Sequence, residues 1–174
     1  MEGFRNLVDA TQILQDIRDE KIEGRKALAK LAETKQFLFH GSPNQLEVLE
    51  PRQAISYGEP HGAPAVSAAS HKAYDLAIFM ALIKSAKNQP KRPRGSRTSG
   101  FSMEGEYNFR ANALAYEDAT STDAYGYVYV FPIKDFKEFA EHEWRSENSV
   151  RPVLAVRVTA KDFPSGVQIE EDEQ

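Results

Sequence analysis

The sequence predicts a mixed α+β domain carried behind an N-terminal helical arm. Three observations lead there. Apolar residues recur at helical spacing between Asp9 and Lys35. After Gln36 they fall instead into short runs rich in aromatic and β-branched residues, FLFH, YGYVYVF and VLAVRV. The length of 174 residues, with 41% apolar and 28% charged side chains, suits one globular domain with an appendage.

In the arm, residues 1–35, Ile13, Leu14 and Ile17 mark one apolar stripe, and Ala27, Leu28 and Leu31 mark a second. Asp9 with Gln12 three residues on resembles a capping box, which would start the helix there. Gly24 is the expected break between two helices. The charged stretch DIRDEKIEGRK reads as a solvated face, and the arm is expected to pack on the domain. It carries no recognisable chemistry.

The domain spans residues 36–163. Phe37 to His40 reads as a buried strand running into a turn at Gly41. SPNQLEVLEPRQAISYGEPHGAP is rich in Pro and Gly and reads as a long loop. Ala65 to Ala68 is a short strand, and Ser70 can cap the helix that follows. Ala73, Leu76, Ala77, Met80 and Ile83 give that helix one buried stripe. Residues 84–100, KSAKNQPKRPRGSRTSG, form a basic loop. Later strands are expected at Glu106–Arg110, Tyr125–Phe131 and Val153–Val158, with a helical turn over Ile133–Phe139. The acidic tail, residues 164–174, is expected to fray. No internal repeat is visible.

Composition removes several classes of function. The absence of cysteine excludes a disulfide scaffold, a thiolate metal site and a cysteine nucleophile, and fits a reducing cytoplasm. No apolar run approaches the roughly 18–20 residues that span a bilayer. The start, MEGFRNLVDATQ, lacks an export pattern. The expectation is a soluble, cytoplasmic protein that does not engage a membrane. His40, His61, His71 and His142 show no metal-binding spacing, and no GxSxG, Walker A or GxGxxG motif is present. A Ser-His-Asp triad has no local motif to support it. The net charge of -4 hides an asymmetry. Lys84, Lys87, Lys91, Arg92, Arg94 and Arg97 hold no acid between them. Removing those six of the 22 basic residues leaves 16 against 26 acidic ones. The loop can meet phosphates, but without interleaved aromatics base stacking is not indicated. It reads equally as a solvated loop.

Three groups of residues bear on chemistry. In His40-Gly41-Ser42, an imidazole at a strand end sits beside a glycine that admits close approach to the main chain. This suits gripping a polar small molecule, and also suits a structural His before a turn. Ser70 and Tyr74 read as a cap and a half-buried helix residue; Tyr74 could also stack on a planar ring, worth about 1 kcal/mol. Glu143 and Glu147 lie in EHEWRSENS. They read as solvated loop charges, or as carboxylates that bind a sugar hydroxyl or stabilise developing positive charge.

The order of these motifs is more telling than any one of them. FLFHGS, the loop with Pro51-Arg52, GAPAVSAASHKAYDLAIFMA and EWRSENSVRP together resemble the ADP-ribosyltransferase superfamily, in its His-Tyr-Glu, diphtheria-toxin and poly(ADP-ribose)-polymerase-like division. The resemblance runs from Phe37 to Phe163. It implies a split antiparallel β-sheet core with flanking helices, and NAD as substrate. It implies that His40 contacts the ribose, that the Gly41 backbone pairs with the nicotinamide amide beside Ser42, and that Arg52 meets the diphosphate. By the same resemblance the helix start from Ser70 presents Tyr74 to nicotinamide, and Glu147, with Glu143 second, is the catalytic carboxylate. Val66 stands where the family often has a first Tyr, which is a departure. The implied reaction breaks the nicotinamide–ribose bond and transfers ADP-ribose to an unknown protein or nucleic-acid target, which the basic loop could meet. Two alternatives stay open: a non-catalytic binding domain on the same scaffold, and an NAD-dependent RNA 2′-phosphotransferase, which the basic loop motivates.

Overall fold

The computed structural model describes residues 2–53, 55–56, 59–60, 62–87, 97–101 and 107–170. Helices α1 (Glu2–Asp19) and α2 (Gly24–Glu33) form the arm. The break falls at Gly24, whose φ of +65° opens α2. The first helix starts at Glu2, so Asp9 and Gln12 lie within it rather than capping it; Gln12 instead donates to Asp16 at 2.7 Å, one turn on. Ala10, Ile17, Ala27, Leu28 and Leu31 are buried in the same core as the sheet. Polar ties reinforce this packing. Arg18 Nη2 donates to the Val153 carbonyl at 2.6 Å. Arg25 ion-pairs with Asp75 and donates from its amide to Asp162 Oδ1 at 3.0 Å. Asp162 is buried, and its other oxygen accepts from the Thr159 amide at 2.9 Å. A buried carboxylate is tolerated when it is bonded in this way.

The domain then runs β1 (Phe37–Ser42), a short hairpin of β2 (Ile55–Ser56) and β3 (Glu59–Pro60), β4 (Val66–Ala69), a 3-10 turn at His71–Ala73, and α3 (Tyr74–Lys87). It continues through β5 (Arg97–Phe101), β6 (Tyr107–Asn112), α4 (Ala113–Ala119), β7 (Tyr125–Pro132), β8 (Lys137–Ala140), β9 (Glu143–Ser146), β10 (Leu154–Thr159) and β11 (Gln168–Glu170). Six strands make one antiparallel sheet in the order β10-β7-β1-β4-β9-β8. The small second sheet, β11-β6-β5, contains one parallel pair, β11 with β6. The architecture is thus mixed α and β, with helices flanking a mostly antiparallel sheet.

Several expectations give way here. The expected loop over residues 84–100 is helical to Lys87 and a strand from Arg97; Lys91, Arg92 and Arg94 lie outside the described residues. Helix α4 has no counterpart in the sequence reading. The turn over Ile133–Phe139 shrinks to a 3-10 turn, Ile133–Asp135, followed by β8. The supposed loop around Glu143 is itself strand β9. The tail pairs with β6 through Glu170, and residues 171–174 lie outside the described residues.

Strand β1 is buried on both faces, which explains its unbroken apolar run. Phe39 packs into the core beneath α3; Leu38 packs with Leu49, Tyr129, Phe131 and Val150 in a second core on the opposite face. The Tyr129 hydroxyl pins the overlying loop by accepting from the Leu46 amide at 2.6 Å and donating to the Asn44 carbonyl. Helix α3 lies very close to the sheet. A Cβ on Gly41 would overlap the Ala77 carbonyl and stand 2.8 Å from the Ala81 amide nitrogen. A Cβ on Gly126 of β7 would stand 2.9 Å from the Ala81 carbonyl oxygen. Backbone cannot yield as a flexible side chain does. Gly41→Ala is therefore expected to cost about 3 kcal/mol or more, and Gly126→Ala less. Urea denaturation of both variants checks this, and a Gly41→Ala midpoint equal to the parent's would refute it.

Candidate functional site

The six-stranded sheet has one weak seam. β1 pairs with β7 over six residues, from Phe37 with Pro132 to Ser42 with Tyr127. On its other side β1 meets β4 in a single pair, Phe39 with Ala69. Beyond that pair the two strands part. His40 crosses the gap: its Nδ1 lies 2.6 Å from the Ser67 carbonyl. A carbonyl only accepts, so Nδ1 carries the proton, which leaves Nε2 as the basic nitrogen of the neutral ring.

A cleft of about 260 Å³ opens at this seam. Leu76, Ala77 and Met80 of α3 supply an apolar wall, and His40, Ser67, His142 and Glu143 supply polar groups. Glu143 arrives by register: Phe39 pairs with Ala69, and Ala69 pairs with Glu143. A carboxylate 35% exposed and a tautomerically fixed imidazole thus share one apolar-walled recess, a combination able to bind hydroxyls and to stabilise positive charge.

The turn that delivers Glu143 is tied down. His142 adopts a left-handed φ of +62°, unusual for a residue with a side chain. Its carbonyl accepts from the Ser70 amide at 3.0 Å, and its Nδ1 is hydrogen-bonded to the Ser70 hydroxyl at 2.9 Å. Ser70 is buried, and its side chain serves this tie rather than capping the helix. Its expected cap is replaced by a contact 72 residues away in the chain.

The other expected site residues fall as follows. Gly41 lines the cleft, but the close approach it permits is taken up by α3. The buried Ser42 hydroxyl accepts from the Asn44 amide at 3.2 Å and shapes the turn after β1. Arg52 is exposed and pairs through its backbone with Ala65, two residues before Ser67. Tyr74 is half-buried at the start of α3. Its ring meets Phe39 edge-on at 6.2 Å, and the Arg25 guanidinium lies 5.9 Å from its centroid. Tyr74 does not line the cleft. Glu147 is exposed and lines a neighbouring cavity of about 290 Å³ with Arg145, Lys137 and Phe139. The structure therefore brings His40, Gly41 and Glu143 together, and sets Arg52, Tyr74 and Glu147 elsewhere. His142, Leu76 and Met80 complete the recess, and no local sequence signal marks them for it. Among the described residues, no group of three or more His, Cys, Asp or Glu could hold a metal ion, and no helix is long and apolar enough to cross a membrane.

Comparison of the chain with protein-family profiles, curated proteins and solved structures gives no match.

The site's margin also responds to pH. Burial, then the charges of Lys35, Lys72 and His142, hold the His71 imidazole below its ordinary value of 6.5. Just below that pH the unfolded chain binds more protons than the folded one, so acidification through this window costs stability. The urea midpoint of the parent is expected to fall more than that of His71→Gln between pH 7.5 and 5. Equal falls would show that His71 is not the group responsible.

Proposed function

We propose that the chain is an NAD-dependent ADP-ribosyltransferase-like protein. The observation that supports this most is that His40, Gly41 and Glu143 line one cleft where β1 and β4 part. The residues fit part of the dinucleotide. A recess of about 260 Å³ is near the lower end of small-ligand sites, so it suits the nicotinamide–ribose end rather than the whole molecule. Its apolar wall suits a flat ring, and its imidazole and carboxylate suit ribose hydroxyls.

In this reading Glu143 is the carboxylate of the site, and Glu147 has no part in it. The bond between the nicotinamide nitrogen and ribose C1′ breaks, and its electron pair leaves with nicotinamide. The sugar carries the resulting positive charge. Glu143 stabilises that cation by proximity, in a setting less screened than water. His40, held by the Ser67 carbonyl, orients the ribose. A nucleophile on the target then bonds to C1′ and loses its proton.

A second reading, a binding domain without turnover, is favoured by one placement: Tyr74 is absent from the cleft.

Incubation with labelled NAD and measurement of free nicotinamide test both. Glu143→Gln is expected to lower release by about a hundredfold, the scale of losing one electrostatic contact to a transition state. His40→Ala should also cut release, and Glu147→Gln should leave it within about threefold. Binding of NAD by calorimetry without release would select the second reading. Absence of both binding and release would refute the proposal.

A further inference from the structure

Beside the cleft, in the neighbouring cavity, stands a charged residue to which the proposed reaction assigns no step. Arg145 stands two positions after Glu143 on β9, so strand alternation puts both side chains on one face. Trp144, between them, packs on the opposite core. Arg145 Nε donates to Glu143 Oε2 at 2.6 Å, and only 11% of the Arg145 side chain is exposed. Its guanidinium lies 3.6 Å from the Phe139 ring centroid on β8. Gly62, at a φ of +76°, approaches the same group: a Cβ there would stand 2.6 Å from Nη1.

Three unrelated contacts thus converge on one guanidinium. Two of them, to Phe139 and to Glu143, suit arginine specifically. The planar group stacks on an aromatic face and offers a directed N–H to the carboxylate, whereas lysine offers a point charge on a flexible stem. A side chain held on a ring and beneath a glycine has lost its rotamer freedom, and the carboxylate bonded to it is constrained in turn.

We propose that Arg145 is a positioning residue that fixes the Glu143 carboxylate where it lines the cleft, with Phe139 and Gly62 as its supports. The clamp stands on geometry alone; its catalytic consequence rests on the ADP-ribosyltransferase reading. Arg145 acts through Glu143 and contacts no substrate.

Two measurements separate the clamp from that reading. The first needs no substrate. In 15N-labelled protein the Arg145 Nε–H resonance is expected to be distinct and slowly exchanging. It should shift or broaden in Glu143→Gln, and also in Gly62→Ala, which presses on the guanidinium from outside the cleft. An Nε–H signal identical in the parent and Glu143→Gln would overturn the clamp, whatever the protein does with NAD. The second reads nicotinamide release. Arg145→Gln and Arg145→Lys should each lower kcat on the order of tenfold, with KM for NAD changed by less than about threefold. In a Glu143→Gln background Arg145→Gln should cost nothing further, as required of a residue acting through Glu143. Equal losses in both backgrounds, or a change confined to KM, would overturn the positioning role. A parent that releases no nicotinamide would refute the enzymatic reading and leave the resonance test to decide the clamp.

Discussion

The close docking of α3 on β1 and β7 is the constraint on which the rest depends. Backbone meets backbone there, because Gly41 and Gly126 lack the atoms that would keep Ala77 and Ala81 away. Interiors are packed too densely for such an approach to be an accident of loose fit. The helix in turn brings Leu76 and Met80 to the edge of the β1–β4 seam, where they form the apolar wall of the cleft. Without the glycines the helix would stand farther off, and that wall would move with it. The glycine after His40 thus has a structural reason to be there that requires no ligand, even though it borders the recess.

The seam itself is a trade between two kinds of pairing. β1 spends its hydrogen-bonding edge fully on β7 and barely on β4. An opened sheet exposes backbone polar groups that need partners. The His40 ring satisfies one of them, the Ser67 carbonyl. This contact bridges the parted strands and fixes the tautomer of the imidazole. Structure and chemistry are not rival explanations of His40: the bond that closes the gap also sets which nitrogen is basic.

Much of this was legible in the sequence where burial is continuous or strictly periodic. β1, β7, β10 and α3 are strongly apolar, and their positions were readable to within a few residues. β8 was not, because all four of its residues are exposed and show no alternation. α4 was not, because its buried residues are only alanines, Ala115 and Ala119. The site was legible in its local part alone. His40 and Gly41 are adjacent in sequence and stayed together in space. The choice between Glu143 and Glu147 depended on the register of β4 with β9, which no local pattern specifies. Ser70 looked like a helix cap because its partner, His142, lies 72 residues further on. The acidic composition around Glu143 hides a short strand, since glutamate is depleted in strands.

The arm adds a last step to this chain of dependence. It packs on the domain, and it also reaches the element that walls the cleft. Arg25 at the start of α2 ion-pairs with Asp75 and lies over Tyr74, the first two residues of α3. The same arginine is bonded to Asp162, which is buried after β10. Asp75 pairs near the surface, where a lone ion pair contributes little. Asp162 is different, since a buried carboxylate stripped of its partners would bear the cost of desolvation. The Arg25 amide holds the Asp162 carboxylate and its guanidinium the Asp162 carbonyl, so the arm is anchored strongly to the segment after β10 and only weakly, through Asp75, to α3. Tyr74, placed by resemblance against a nicotinamide ring, is occupied in this junction. Its position at the helix start serves the contact between arm and domain, which accounts for an aromatic residue there without any ligand.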